Sequence, residues 1–307
     1  KDRLSGFGDE AAKRASLSAA DMAEFPEFTQ RAFLGRKVPP MKRPSCNAPI
    51  AYRNRDELAR DLDNFKAGLA GVDASEGFLS AASPGVIAQF LGNTHYSTHE
   101  TYIAALADAM KVEYDAIHNA GFLLQVDCPD LAMSRHIQFA RSSTAEFRKV
   151  AELHVEALNH ALRDVPPERA RLHLCWGNYE GPHHHDIALA DIMDIVFKAR
   201  PIAISYEASN PRHEHEFKVF KDLKLPAGRI LIPGVIDSTT NFIEHPEVVA
   251  MRICNLAGVV GRENVIAGTD CGFATFAGFS RVVPSITWAK FRAMADGAQL
   301  ASRELWG

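Results

Sequence analysis

The stretch Leu172-His173-Leu174-Cys175-Trp176-Gly177-Asn178 alternates apolar and reactive side chains, then ends in Gly-Asn. It reads as a strand running into a loop. Successive side chains on a strand point to opposite faces, so His173 and Cys175 project together while Leu172 and Leu174 face the other way. An imidazole and a thiol meeting where a strand ends make half of a zinc site. A lone His-x-Cys also arises by chance, so its meaning depends on whether other strand ends supply further ligands.

Moving outward, one pattern repeats. Upstream, Ser143 to Arg163 has helical spacing with Phe147, Val150, Leu153 and Leu158 on one stripe. Before it, the nearly continuous apolar run Phe122–Val126 enters Asp127-Cys128-Pro129-Asp130. Helices over Thr98–Asn119 and Arg55–Leu69 flank a strand over Phe78–Ser83 that stops at Pro84-Gly85. Downstream come a helix over Asp186–Lys198, a strand over Ile202–Glu207 and a short helix carrying Phe217, Phe220 and Leu223. A strand over Ile230–Asp237, a helix opened by Pro246, a strand over Val265–Thr269 and a helix over Pro284–Leu305 complete the chain.

Strands alternating with helices imply a parallel sheet with helical crossovers. The two candidates are a doubly wound open sheet and a (β/α)₈ barrel. No Gly-rich turn follows a first strand, which disfavours a dinucleotide fold. A barrel collects its catalytic residues at the C-terminal ends of several strands. The polar residues here, Asp127, His173, Cys175, Glu207, Asp237, Asp270 and Cys271, stand at such ends. The expected fold is therefore α/β, a (β/α)₈ TIM-type barrel, of which the six strands are two short. Residues 1–45 are polar, rich in Lys and Arg and poorly periodic, and read as an irregular N-terminal part. Cys46–Tyr52, interrupted by Pro49, reads as an edge or ribbon.

The 307 residues suffice for one large domain, and 47% hydrophobic with 23% charged residues is ordinary globular composition. A net charge of −4 without a basic stripe argues against nucleic acid as partner. No run approaches the roughly 20 apolar residues of a membrane span. The chain opens on a polar segment with no export signal, and its five cysteines are odd in number and widely spaced. They read as ligands or core residues in a cytoplasmic protein rather than a disulfide framework.

Glu207 and Cys271, ending two later strands, join His173 and Cys175 to give one imidazole, two thiols and one carboxylate, a set that suits tetrahedral zinc. Two thiolates and a carboxylate leave a zinc site with a net charge of about −1. Such an electron-rich site is a poor Lewis acid. It suits binding a substrate thiol and keeping the thiolate nucleophilic at neutral pH.

The set His173-Leu174-Cys175, Glu207 and Asp270-Cys271-Gly272 resembles the zinc motif of the cobalamin-independent methionine synthase family, in its C-terminal barrel. The resemblance extends in order to Ser83-Pro84-Gly85, Gln125-Val126-Asp127-Cys128-Pro129 and Pro233-Gly234-Val235-Ile236-Asp237. The nearest branch is that of short, single-barrel methionine-synthase-like proteins, close to the epoxyalkane:coenzyme M transferases. The resemblance implies one zinc-binding methyltransferase barrel over residues 1–307, with Zn²⁺ on His173, Cys175, Glu207 and Cys271. It implies methyl transfer to a small thiol, homocysteine giving methionine, from a methyl-folate-type donor, with no nucleic acid or membrane partner and a homo-oligomer left open. Asp127 corresponds to the residue that holds the homocysteine amino group, so it counts as both substrate-binding and catalytic. Asp237 is the second catalytic candidate, and Ser83 lies on the folate side. Trp176 and Tyr206 flank the ligands and are expected to wall the pocket.

Three departures stand out. The family's Gly-Ser-x-Pro-Arg-like segment and Gly-Glu-like turn of the first two strands are absent, so those strands are either outside this chain or supplied by another polypeptide. Asp237-Ser238-Thr239-Thr240 lacks the proton-donating His of the family, unless His245 reaches in. Cys128 replaces the Glu of the family's Asp-Glu-Pro. These departures keep two alternatives open: alkyl transfer from an epoxide to another thiol such as coenzyme M, and a zinc-holding scaffold subunit that needs a partner. His183-His184-His185 reads as a loop or helix start near the mouth, and Arg212–Glu216 as a solvated helix start.

Overall fold

The computed structural model describes residues 3–8, 20–33, 44–274 and 281–307. Six parallel strands pair in chain order: Phe78–Ala82, Leu123–Asp127, Ala170–Leu174, Ala203–Tyr206, Ile230–Ile236 and Gly268–Thr269. Parallel strands adjacent in chain order, joined by right-handed crossovers, put every connection on one face of the sheet, which is the winding of a (β/α)₈ TIM-type barrel, with six strands among the described residues. The first and last of these strands do not pair with each other there.

The register decides which side chains share a face. Ala82, Asp127, His173, Ser205 and Ile232 stand side by side across five strands. The row below is Ser80, Gln125, Arg171, Ala203 and Ile230, in which the Gln125 amide donates to Ser80 and the Arg171 guanidinium sits 4.1 Å over the Phe78 ring. The alternate residues Leu124, Val126, Leu172, Leu174, Ile204 and Tyr206 are buried beneath the helices. One face is therefore polar and the other is core, as strand alternation requires.

Helices Arg55–Leu69, His99–Asn119, Thr144–Ala161, Pro246–Val260 and Pro284–Trp306 match the expected segments. Thr98 and Ser143 close capping boxes that start two of them. A small three-stranded sheet joins Phe7–Gly8, Ser45–Cys46 and Gly92–Asn93. It lies against the His99–Asn119 helix, where Arg3 and Tyr52 both reach Glu113, at 3.0 and 2.8 Å. No helix of the described residues is long and apolar enough to cross a membrane.

Several local expectations differ from the structure. The first strand ends before Pro84 as expected, but Pro84 also opens a helix that was not expected, Pro84–Phe90, because Ser83 accepts a hydrogen bond from the Val86 N–H at 2.9 Å and so acts as its N-cap. Gly85 fits there because a Cβ would stand 1.9 Å from an Asp130 oxygen. Helices Ala20–Glu24 and Pro26–Phe33 interrupt the N-terminal part read as irregular. The helix expected over 186–198 shrinks to a 3₁₀ turn, Leu189–Asp191, and one α-turn, Met193–Val196. Ala188 is extended, at ψ 145°, and the Leu189 N–H is taken by Glu216, so a regular helix cannot start at Asp186. The last strand narrows to Gly268–Thr269, with an isolated bridge between Leu231 and Val265 before it.

Candidate metal centre

His173 projects from the polar face, and its Nδ1 lies 3.3 Å from the Ser205 hydroxyl. Two residues on, Cys175 points the same way, and its sulfur stands 3.3 Å from that of Cys271. Ligand atoms of His173, Cys175 and Cys271 all lie within 4.8 Å of one another, and the three residues are buried. Both cysteines are free thiols. Residues almost 100 positions apart thus converge because their strands end at the same rim.

Glu207, the fourth expected ligand, is buried beside them. Its Oε1 accepts from the Trp176 N–H at 2.7 Å and its Oε2 from the Asn210 amide at 3.0 Å. It is close enough to Cys175 for each group to shift the other's ionisation, but it lies outside the tight three-residue group.

Asp270 holds this rim together, a role the sequence reading did not assign. Its Oδ1 accepts from the N–H groups of Ala208 and Ser209, both at 2.8 Å, and its Oδ2 from the Ser209 hydroxyl at 2.7 Å and the Asn210 N–H at 3.1 Å. The loop after Glu207 is thereby tied to the residue before Cys271. Ser238 extends the tie, accepting from the Cys271 N–H at 3.2 Å and donating to Asn178 at 2.9 Å. Asn178 in turn donates to the Gly272 carbonyl at 2.7 Å.

Without an ion, the pocket disfavours the charged forms of its thiols and imidazole. The Cys271 contact draws the Cys175 thiol down, but burial and the Glu207 charge outweigh it and push the thiol up to about 12. Cys271 is raised well above the ordinary thiol range by its contact with Cys175 and by burial. Burial lowers His173 to about 4, with Arg171 adding to the effect. Burial also raises Glu207. Buried thiols of this kind ionise only if a cation replaces their protons. Two sulfurs, one imidazole nitrogen and a nearby carboxylate form the donor set that zinc prefers.

Other expected site residues fare differently. Asp127 stands in register beside His173, and burial with Asp130 raises its carboxyl to about 6. Asp237 caps its own loop: its Oδ1 accepts from the Thr239 N–H at 2.6 Å and the Thr239 hydroxyl at 2.8 Å. It nevertheless lines a cavity of about 190 Å³ together with Glu207, His183 and Asp270. Ser83 is not free for a substrate, because its hydroxyl caps a helix and donates to Asp130 at 2.5 Å.

Trp176 and Tyr206 do not wall the pocket either. By strand alternation they face the helices: Trp176 stacks on His213 at 4.1 Å and donates to the Ile187 carbonyl at 2.7 Å, and Tyr206 packs near Phe220. Trp176 serves the site only through its backbone N–H. His245 is exposed and accepts from the Glu247 N–H at 3.2 Å as a helix cap, so it does not replace the missing His. Arg212–Glu216 is not a solvated run, since His213 and Glu216 are buried and lie 2.7 Å apart. Both histidines of sequence interest, His183 and His213, pair with Asp186, whose central position no local pattern announced.

The chain has similarities to known proteins. A methionine synthase of Thermococcus kodakarensis is 27% identical over 223 residues, 72% of this chain and 56% of that protein. The chain is thus similar in sequence to a methionine synthase over most of its length. The structure of a B12-independent methionine synthase from Shewanella sp. W3-18-1 covers 99% of this chain and 78% of its own, with a TM-score of 0.70 and 17% identity, and shares the fold. A 2-hydroxypropyl-CoM lyase of Xanthobacter autotrophicus is 25% identical over 176 residues, 49% of this chain and 45% of that one. The chain spans about half the length of the curated relatives it matches. No protein-family model matches it.

Proposed function

We propose that residues 1–307 form one zinc-binding methyltransferase barrel that transfers a methyl group to a small thiol, homocysteine giving methionine, from a methyl-folate-type donor. The observation that carries this reading is the convergence of Cys175, Cys271 and His173 to within 4.8 Å at the ends of two strands, with Glu207 beside them. His173, Cys175 and Cys271 would hold Zn²⁺, with Glu207 as fourth ligand. Bound there, zinc would lower the pKa of the substrate thiol so that it reacts as thiolate.

The chain's own residues account for the rest. Asp270 and Ser238 fix the loops so that the ligands need no rearrangement. Glu207 would be the weakly held ligand, since the Trp176 N–H and the Asn210 amide support its carboxylate independently of a metal. Asp127, one strand over, receives the amino group of the acceptor and orients its sulfur. The thiolate attacks the methyl carbon, the carbon–sulfur bond forms as the carbon–nitrogen bond of the donor breaks, and the donor nitrogen takes up a proton. Asp237, lining the same cavity, is the second catalytic residue of this reading. A cytoplasmic location belongs to the same proposal.

A second reading is favoured by one observation, the absence of an inward-facing His after Asp237. Attack on an epoxide with another thiol such as coenzyme M needs no protonated folate nitrogen. A third, a scaffold subunit completed by a partner, rests on the open pairing of the six-stranded sheet; size-exclusion chromatography of an active monomer would exclude it. X-ray absorption at zinc during thiol titration separates the first two. A site of two sulfurs that gains a third with homocysteine supports methionine formation; a gain with coenzyme M alone supports the other. Cys271→Ser is expected to abolish zinc binding and turnover together, and full zinc occupancy with normal turnover in that variant would overturn the assignment.

A further inference from the structure

Beside Trp176, a second group of ligand-type side chains surrounds Asp186. Asp186 Oδ2 lies 2.8 Å from His183 Nδ1 and 3.0 Å from His213 Nε2. The remaining nitrogen of each ring is also held: His183 Nε2 lies 2.9 Å from the Tyr179 carbonyl, and His213 Nδ1 lies 2.7 Å from Glu216. Glu216 is fixed in turn by the Leu189 N–H at 2.8 Å. His183, Asp186 and His213 each present one ligand atom, and these atoms lie within 4.8 Å of one another.

We propose that His183, His213 and Asp186 form a second divalent-cation site, of two nitrogens and one oxygen, separate from the thiol centre. Three observations carry it. First, metal-binding imidazoles are regularly oriented by a carbonyl or a carboxylate on the nitrogen that does not bind, and here Tyr179 and Glu216 occupy those places. Second, each ring faces a carboxylate oxygen of Asp186 on its other nitrogen, so both inner nitrogens and that oxygen point at one spot.

Third, Asp186 is itself held in place. Its Oδ1 lies 2.7 Å from His136 Nδ1, which leaves Oδ2 directed at His183 and His213, and the side chain is 1% exposed. His183 itself sits at φ 55°, a left-handed conformation that an L residue adopts only when its surroundings enforce it. Its N–H donates to Asp21 at 3.0 Å, which helps hold that turn.

Two imidazoles and one carboxylate suit a borderline metal such as Zn²⁺ or Fe²⁺ rather than Mg²⁺ or Ca²⁺, which take oxygen ligands. Because His183 also lines the cavity containing Glu207 and Asp237, the ion would sit at the border of the proposed substrate mouth.

The test uses the full chain, stripped of metal and titrated with Co²⁺, with zinc content measured separately. Two equivalents are expected, one with a sulfur-to-cobalt charge-transfer band and one without. His183→Gln and His213→Gln should each remove the equivalent that lacks the band, and Cys271→Ser should remove only the other. Because His213 is deeply packed, His183→Gln, on the cavity-lining loop, decides if His213→Gln fails to fold. A single equivalent that follows only the cysteines would overturn the proposal. So would a second equivalent lost in His185→Gln but not in His183→Gln, since that would place the ion on the exposed Glu24, His184 and His185 group.

Discussion

Gly234→Ala probes how the fold positions Cys271. A Cβ at Gly234 would stand 1.9 Å from Asp270 Oδ1 and 2.6 Å from the Asp270 backbone N and Cα. The oxygen can swing aside, but the backbone atoms cannot without moving the strand end. Restoring ordinary contact at 3.4 Å requires a shift of about 0.8 Å from that 2.6 Å approach. Overpacking of this kind costs roughly 1–3 kcal/mol. Displacing Asp270 also orphans buried N–H groups of the 208–210 loop, at roughly 1–3 kcal/mol for such a group. The expected loss of stability is about 2–6 kcal/mol. Metal affinity should fall roughly 10–100-fold, because an outer partner of the ligands is displaced. Gly272→Ala is the control: nothing lies within 4 Å of its Cβ, although it adjoins Cys271. It should remain within about 0.5 kcal/mol of the parent. Urea unfolding of the metal-free chain and zinc competition with a chromophoric chelator read both quantities. Parent-like behaviour of Gly234→Ala in both assays, or an equal loss in Gly272→Ala, would refute the reasoning.

Two further outcomes follow from the packing. Tyr206→Phe removes a buried hydroxyl that has no partner among the described residues, so stability should hold or rise by up to about 1 kcal/mol with turnover unchanged; a large rise in KM would return Tyr206 to the pocket. At His213, burial favours the neutral ring, but Asp186 and Glu216 outweigh it and raise the pKa to about 9. A base whose folded pKa exceeds its unfolded value stabilises below the unfolded pKa and loses that contribution as pH rises through the folded one. In chelator-treated protein, stability should therefore fall between about pH 6.5 and 9.5, by up to roughly 3 kcal/mol, and His213→Gln should flatten that slope. A parent profile that is flat or rising there would contradict the assignment.

The six strands, their order and most helices were legible because local periodicity governs them. Thr98, Ser143 and Pro246 mark helix starts within a residue or two of where they lie. The strand end at Ser83-Pro84 was read correctly but the helix after it was missed, because a proline can end one element and open the next, and the Val86 N–H bonded to Ser83 shows that it does both here. Trp176 was misread although the alternation that pairs His173 with Cys175 also turns Trp176 away. The sequence signal was present there and a nearest-neighbour argument overrode it.

What the amino-acid order alone determined is whatever depends on a few bonded neighbours: strand or helix, the face each side chain takes, and hence that His173 and Cys175 leave their strand together. The contact between Cys175 and Cys271, the four hydrogen bonds that Asp270 accepts, and the meeting of His183 and His213 at Asp186 join segments 3 to 96 positions apart. Those depend on how closely parallel strands bring their ends together, a distance set by packing of the whole sheet against its helices. Whether a polar side chain is free to meet a ligand or already bonded is decided at that level, because hydrogen-bond geometry fails over a fraction of an ångström that no spacing in a sequence can specify.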